Sequence, residues 1–485
     1  MAMTTIGGMR ETLTAGLWIG GERRTAGSGG TYEHVNPSTG QVQGLVPLAG
    51  ASEVDEAVEA ARSAFHEWRR WDPADRRRIL NKLAALLADH ADELLTIESL
   101  ETGIPVSTGG MLPLLLGGLE YAASLADKLA GTVVPTKPGA VFDYTLVEPI
   151  GVVGVIIPWN GPVGQIGLSV SSPLAAGCTV ILKPSELAPF SSEVFGRLCI
   201  EAGIPAGVVN VLPGTAEAGE ALVRHPGVDK ISFVGSVGTS RKVAAGCAAT
   251  GKSALLELGG KSADLVFADT DVRKAAGDAI GWLVYNAGQA CTLASRFIVH
   301  DSIYDDYVEL VVQGLDALQV GDASDPRTDM GPVINKSAQD RVLSMIERAK
   351  HDSSVRLLTG GGRIESPGFH VQPTLFEASN SAEISREEVF GPVLSVMRFH
   401  EDDEAIAIAN DSSFGLAGYV HTSDLSRALR VAAELDTGNI GINGGMAPGV
   451  TGAPFGGVKD SGYGRAGGIT GVTEFTRLKN VMISL

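Results

Sequence analysis

Cysteine is scarce and scattered. Four residues (Cys178, Cys199, Cys247, Cys291) stand in 485, with no C-x-x-C pair and no His/Cys cluster at zinc spacing. That argues against a disulfide scaffold and against a bound metal. Long apolar runs are missing too. The most apolar tract, GGMLPLLLGGLEYAASLA (109–126), is interrupted by Pro113, several glycines and Glu120. A membrane span needs about 20 mostly apolar residues, so this tract reads as a buried helix. The N-terminal MAMTTIGGMRETLTAGLWIGG lacks the continuous apolar core of a signal peptide. Positive charge is in deficit, with 38 Lys and Arg against 56 Asp and Glu, a net −18, and no long basic run. Neither nucleic acid nor an acidic membrane surface is an expected partner. A soluble, cytoplasmic protein is expected.

What is present supports sizeable cores. Hydrophobic residues make up 44% and charged residues 19% of the chain, and the length predicts two or three lobes rather than one. The first 35 or so residues read as short strands and turns. From ASEVDEAVEAARSAFHEWRRW to about Ala130 the apolar spacing is helical, with Ser52 and Glu56 as a capping signal and Asp72-Pro73 as a break. VFDYTLVEPIG (141–151) alternates like a hairpin arm. Then Val/Ile-rich runs (VVGVIIP, CTVILKP, VVNVLPG, DKISFVGS, SALLELGG) alternate with helical segments, which spells a parallel sheet of βαβ units. A second α/β half follows from about Ser262 to Gly445, and EFTRLKNVMISL reads as a closing strand. Ligands bind such sheets at the carboxyl ends of the strands.

Three residues could carry chemistry, two of them, Asn160 and Glu257, at ends of the presumed strands. Cys291, in NAGQACTLAS, is either a buried small side chain or a nucleophile that another molecule can reach past its small neighbours. Glu257, in LLELGGKSA, is either a solvated strand-end carboxylate or a general base whose surroundings raise its pKa. Asn160, in IIPWNGPVG, is either a turn or N-cap residue or an amide donor for an oxyanion.

Taken together, PWN with Asn160, ELGGK with Glu257 and GQAC with Cys291 resemble the aldehyde dehydrogenase superfamily in order and spacing. So do ILKPSE, FVGS, EEVFGPV and PFGGVKDSGYGR (Phe455 to Arg465), and the resemblance runs from the NPSTG loop to the C-terminal strand. It implies an α/β fold with a Rossmann-type parallel-sheet cofactor domain (1–130 and 150–259), an α/β catalytic domain (260–445), a β oligomerisation arm (131–149 and 475–485) and a connecting substrate loop (446–474). It further implies oxidation of an aldehyde to the acid, with Cys291 as nucleophile, Asn160 as oxyanion donor and Glu257 as the base that activates water. Relatives that pass the acyl group to coenzyme A typically lack that glutamate, which favours water as acceptor here.

The resemblance assigns cofactor contacts to Ile156, Trp159, Lys183, Ser185, Glu186, Gly235, Ser236, Leu258, Glu388 and Phe390. No G-x-G-x-x-G follows a strand of the βαβ run; the Gly235-Ser236 turn opens a helix whose N-terminus faces the pyrophosphate. Glu186 would repel a 2′-phosphate, so NAD is expected ahead of NADP. The expected substrate pocket comprises Gly161, Gly164, Gln165, Leu168, Tyr285, Ala290, Thr292, Phe455 and the loop 444–455. Gly161 and Leu168 stand where relatives that take quaternary ammonium aldehydes build an aromatic cage, so betaine aldehyde is not expected. Gly161 and Gly164 suggest a roomy, mainly apolar entrance for an aromatic or medium-chain aliphatic aldehyde.

Three positions depart from the family's pattern. Ala466 replaces a common glutamate, Ser169 a common lysine, and Ser240 a frequent glycine. Two other functions remain open on the same residues: a cysteine hydrolase, which would leave the KPSE and EEVFGPV residues without purpose, and a non-catalytic role, which would not need Cys291, Glu257 and Asn160 together. A homodimer or homotetramer is expected, because unpaired arm strands invite edge pairing.

Overall fold

The Val/Ile-rich runs become buried strands at the centres of two large sheets. The computed structural model describes residues 4–6, 9–11, 13–445 and 450–485. In the first sheet the strands lie in the order Gly462–Tyr463, Ser253–Glu257, Lys230–Val234, Val152–Ile156, Thr179–Lys183, Val209–Val211, Leu17–Ile19 and Glu22–Arg24. The five from Ser253–Glu257 to Val209–Val211 are parallel, and antiparallel strands close both edges. The chain builds outward from Val152–Ile156 on one side and then crosses to Lys230–Val234 on the other. That reversal leaves a crevice at the strands' carboxyl ends, where the two loops diverge.

The second sheet orders Val355–Thr359, Thr374–Ala378, Val393–Phe399, Ala294–His300, Ser262–Val266, Ala417–His421 and Asn439–Ile442. All neighbours are parallel except the first pair. Ser253–Glu257 in one sheet and Ser262–Val266 in the other are consecutive strands, so Leu258-Gly259-Gly260 runs along the seam between the sheets.

A third, three-stranded sheet joins Thr476–Ser484, Val141–Pro149 and Val133–Val134. This corrects the reading of unpaired strands. The tail and the long hairpin strand pair with each other, Thr476 opposite Pro149 through Ser484 opposite Val141.

The small-residue helix Pro162–Ala176 is buried almost throughout and packs against the apolar helix Leu112–Leu125. Glycine permits the close approach. A Cβ on Gly118 would lie 2.8 Å from the Gly167 carbonyl oxygen, and one on Gly167 would lie 2.5 Å from the Leu115 Cα. Forcing a methyl group into such a contact costs about 1–3 kcal/mol. The first long helix, Ala51–Trp68, is capped by Glu53, whose carboxylate accepts the Gly50 N–H at 2.8 Å, and not by the Ser52 and Glu56 signal. Glu53 lies three residues past the cap, within reach of the orphan N–H; Glu56 has turned away. Among the described residues no helix is long and apolar enough to cross a membrane.

Candidate active site

After the helix Val272–Val284 the chain makes two successive left-handed residues, Ala287 (φ 48°) and Gly288 (φ 72°). Ala287 is strained there, and such strain persists only where neighbours over-determine it. Here the Gly288 N–H donates to the Leu283 carbonyl and the Gln289 N–H to that of Asn286, both at 2.9 Å. The buried Gln289 side chain accepts the Ile334 N–H at 2.9 Å and donates to the Asn286 carbonyl at 3.0 Å. Beyond the turn, the Tyr419 hydroxyl donates to the Thr292 carbonyl at 2.9 Å. Cys291 is thereby held between two pinned residues. It is partly exposed, while the other three cysteines are buried.

Asn160 lies in the loop between Val152–Ile156 and Pro162–Ala176. Its amide donates one N–H to the Gln289 carbonyl at 2.9 Å, and a carboxamide has a second to offer. The same carbonyl thus ties Asn160 to the cysteine turn. Glu257 ends its strand with 2% exposure, and neither carboxylate oxygen has a hydrogen-bond partner among the described residues. Burial holds its pKa well above the usual carboxylate range; Arg465 opposes this and Glu474 adds to it. Gly456 leaves room for the carboxyl group, since a Cβ there would sit 2.8 Å from Oε1. Burial pushes the Cys291 thiol up to about 12, with Glu388 and Glu257 adding to the rise.

Two cavities meet at these residues. The first, about 380 Å³, is lined by Trp159, Gly235, Ser236, Leu258, Glu388 and Phe390, together with Asn160, Glu257 and Cys291. The Trp159 and Phe390 rings meet edge to face at 5.5 Å, and Phe390 is itself left-handed at φ 50°. Gly235-Ser236 follows the strand Lys230–Val234, and the Ser236 hydroxyl caps the helix Val237–Thr250 by accepting the Thr239 N–H at 3.3 Å. Ser240, inside that helix, donates its hydroxyl to the Val237 carbonyl at 2.8 Å. Glu388 accepts the Gly260 N–H at 3.0 Å.

Ile156, Lys183, Ser185 and Glu186 do not line this cavity. Ile156 and Lys183 are level with each other at the ends of adjacent parallel strands, and Ser185-Glu186 follows in the next turn. The buried Lys183 ammonium donates to the carbonyls of Pro184, at 2.9 Å, and Gly214. Burial brings its pKa down to about 8, against the pull of Glu186.

The second cavity, about 360 Å³, shares Asn160, Val234, Glu257, Leu258 and Cys291 with the first. Of the expected pocket residues, Gln165, Leu168, Tyr285, Ala290, Thr292 and Phe455 line it. Gly161 and Gly164 do not, which corrects the roomy entrance read from them. Met111 fills that space: its sulfur lies 2.1 Å from where a Gly161 Cβ would be and 2.9 Å from a Gly164 Cβ. Of the expected loop 444–455, residues 446–449 lie outside the described residues, and Thr451 and Phe455 reach the cavity.

Sequence reasoning missed several contributors. Gln289 was in view as part of GQAC, but its buried, fully used amide was not foreseen. Arg341 lines the first cavity and donates to the Val389 carbonyl at 2.5 Å; in SAQDRVLSM it looks like any solvated helix residue. Met111, Leu114 and Leu416 are brought to the second cavity only by tertiary packing. Among the described residues no group of three or more His, Cys, Asp or Glu is placed to hold a metal ion.

Known proteins share this fold. The family model described as Aldehyde dehydrogenase family matches residues 24–481. An aldehyde dehydrogenase of Enchytraeus buchholzi is 38% identical over 475 residues, 96% of this chain and 95% of that protein. The structure of PnpE in complex with nicotinamide adenine dinucleotide is 38% identical and superposes with a TM-score of 0.95, covering 97% of this chain and 98% of that one; PnpE comes from Pseudomonas sp. WBC-3. A mutant of the P. syringae AldA indole-3-acetaldehyde dehydrogenase, in complex with NAD+ and IAA, is 37% identical with a TM-score of 0.94, covering 98% and 97%. Matched along nearly its whole length in sequence and in fold, this chain belongs to the aldehyde dehydrogenase family.

Proposed function

We propose that the protein oxidises an aromatic or medium-chain aliphatic aldehyde to its carboxylic acid with NAD, through covalent catalysis by Cys291. The observation that supports this most is the meeting of two cavities at Cys291, Asn160 and Glu257. A cysteine hydrolase would need only one of them.

The chain's groups suit a dinucleotide. A helix N-terminus at Ser236 favours a pyrophosphate. The Lys183 ammonium has three N–H and makes two hydrogen bonds to carbonyls, which leaves one for a ribose hydroxyl. The Glu186 carboxylate in the adjoining turn disfavours a 2′-phosphate, so NAD is preferred over NADP. Glu388, Phe390 and Arg341 would surround the nicotinamide ribose, and Ile156, Trp159, Ser185 and Leu258 would complete the contact. Relatives with bound NAD, such as PnpE, are consistent with this.

When bound, the nicotinamide supplies a hydride acceptor. A thiol held near pKa 12 attacks only as the thiolate, so its proton passes to solvent water before the carbon–sulfur bond forms. The thiolate adds to the aldehyde carbon. The resulting alkoxide is stabilised by the free N–H of Asn160 and the Cys291 backbone N–H. Loss of hydride turns the thiohemiacetal into a thioester. Glu257 then removes a proton from water; the water oxygen attacks the acyl carbon, the C–S bond breaks, and acid and thiolate result. With Ala466 and Ser169 in place of the common glutamate and lysine, Glu257 is left with Arg465 and Glu474 as charged neighbours, and its proton leaves by water past them. Unchanged pH–rate profiles in Ala466→Glu and Ser169→Lys would remove the basis for that route.

We further infer the three-part organisation anticipated from the sequence: residues 1–130 and 150–259 with the cofactor, 260–445 with the cysteine, 446–474 as the connecting substrate loop, and 131–149 with 475–485 as an arm. The arm exposes Val133, Phe142, Leu146, Leu478, Met482 and Leu485, which supports a homodimer or homotetramer. The test of function is NADH formation over a panel of aliphatic, aromatic and amino aldehydes, with NAD and NADP in parallel. Acid release without cofactor reduction would favour the hydrolase.

A further inference from the structure

Met111 sits at the start of the helix Leu112–Leu125, and its backbone N–H is fixed by the buried Glu98 carboxylate at 2.9 Å. Its side chain faces two places at once. The sulfur lies in the notch that Gly161 and Gly164 leave on the facing helix, while the residue also lines the second cavity with Leu114, Leu168, Tyr285 and Phe455. Anything that fills the notch must send the thioether into the cavity. Methionine has three rotatable side-chain bonds and makes favourable sulfur–aromatic contacts.

We propose that Met111, seated over Gly161 and Gly164, sets the width of the aldehyde pocket and selects aldehydes bearing a flat aromatic ring over unbranched aliphatic ones. The proposal rests on the aldehyde dehydrogenase reading of this site. With the thioether in its notch, the cavity between Phe455, Leu168 and Tyr285 is open to a ring, and the sulfur forms one of its walls. With the notch filled, the same atoms narrow the slot while a slender chain still passes.

Gly164→Ala is the sharpest probe. Its backbone is ordinary helix, which alanine adopts without strain. The new Cβ would meet the Met111 sulfur at 2.9 Å, the Met111 Cβ at 3.0 Å and Leu114 Cδ2 at 3.1 Å, so the mobile thioether gives way. Gly161 is unsuitable as a probe, because its φ of 125° strains any other residue. The experiment measures kcat/KM for 2-naphthaldehyde and for propanal in the intact enzyme, the Gly164→Ala and Met111→Ala variants, and the double variant. The expected result is a ratio of naphthaldehyde to propanal that falls about tenfold in Gly164→Ala, rises in Met111→Ala and recovers in the double variant. An unchanged ratio in Gly164→Ala, a parallel loss on both aldehydes, or a double variant that fails to recover would overturn the role of Met111. A parent enzyme that reduces NAD with neither aldehyde would instead count against the functional reading itself.

Discussion

The two cavities share Cys291, Asn160 and Glu257, yet their walls are built differently. On the cofactor side the groups are held by directional bonds: Gln289 to Asn160 and Ile334, Glu388 to Gly260, Arg341 to Val389. On the aldehyde side the apolar side chains of Met111, Leu114, Leu168 and Phe455 line the wall, and these are positioned by packing. Hydrogen bonds fix positions to a few tenths of an ångström, which a reaction requires. Packing holds volume but tolerates exchange. In the proposed function the chemistry is therefore held rigidly and the specificity is adjustable, at two faces of one thiol.

The polar side should break first and furthest. Glu257→Gln keeps the shape and removes the base, so steady-state turnover should fall by about 10²–10⁴, with thioester accumulating in rapid-quench experiments. Full turnover in that variant would release Glu257 from its role.

Acid should reach the cofactor side from further out. His34 is buried, accepts from Gln43 at Nδ1 (3.1 Å) and donates from Nε2 to the Leu187 carbonyl (2.9 Å) in the turn after Glu186. Burial brings its pKa down from 6.5 to about 4. The folded state thus binds fewer protons than the unfolded one between those values, and stability is full above about pH 6.5 and declines as pH falls toward 4. The loss amounts to roughly 3 kcal/mol. Urea midpoints at pH 7 and pH 4.5 should converge in His34→Gln relative to the parent; equal acid sensitivity in both would refute this.

Gln289→Leu strands the Ile334 N–H and loosens the strained Ala287 turn. It should cost about 1–3 kcal/mol in urea unfolding and lower kcat for every aldehyde alike. On the apolar side, Leu168→Met conserves volume and should cost less than about 1.5 kcal/mol, shifting the order of preferred aldehydes and leaving kcat nearly constant. A uniform fall in kcat from Leu168→Met would erase the distinction between the two walls.

The same division explains what the sequence made legible. Parallel strands announce themselves as Val/Ile-rich runs, so Asn160, Glu257 and the Gly235-Ser236 turn stand out at their ends, and Cys291 stands out by its small neighbours in the turn before Ala294–His300. The cap by Glu53 was misjudged by three residues because two acidic side chains compete for one helix start. The pairing of the tail with Val141–Pro149 joins segments over three hundred residues apart, which no local pattern encodes. Met111 was invisible for the same reason. Gly161 and Gly164 read as empty space until a side chain about fifty residues upstream was seen to occupy it.

The central claim is that Cys291 carries the acyl group and Glu257 releases it. The most direct test mixes Glu257→Gln rapidly with aldehyde and NAD, follows NADH absorbance, and quenches for peptide mass. The account predicts one burst of NADH per active site, slow turnover thereafter, and an acyl adduct on the peptide containing Cys291. A burst without an adduct, an adduct on another residue, or linear turnover at the parent's rate would contradict it.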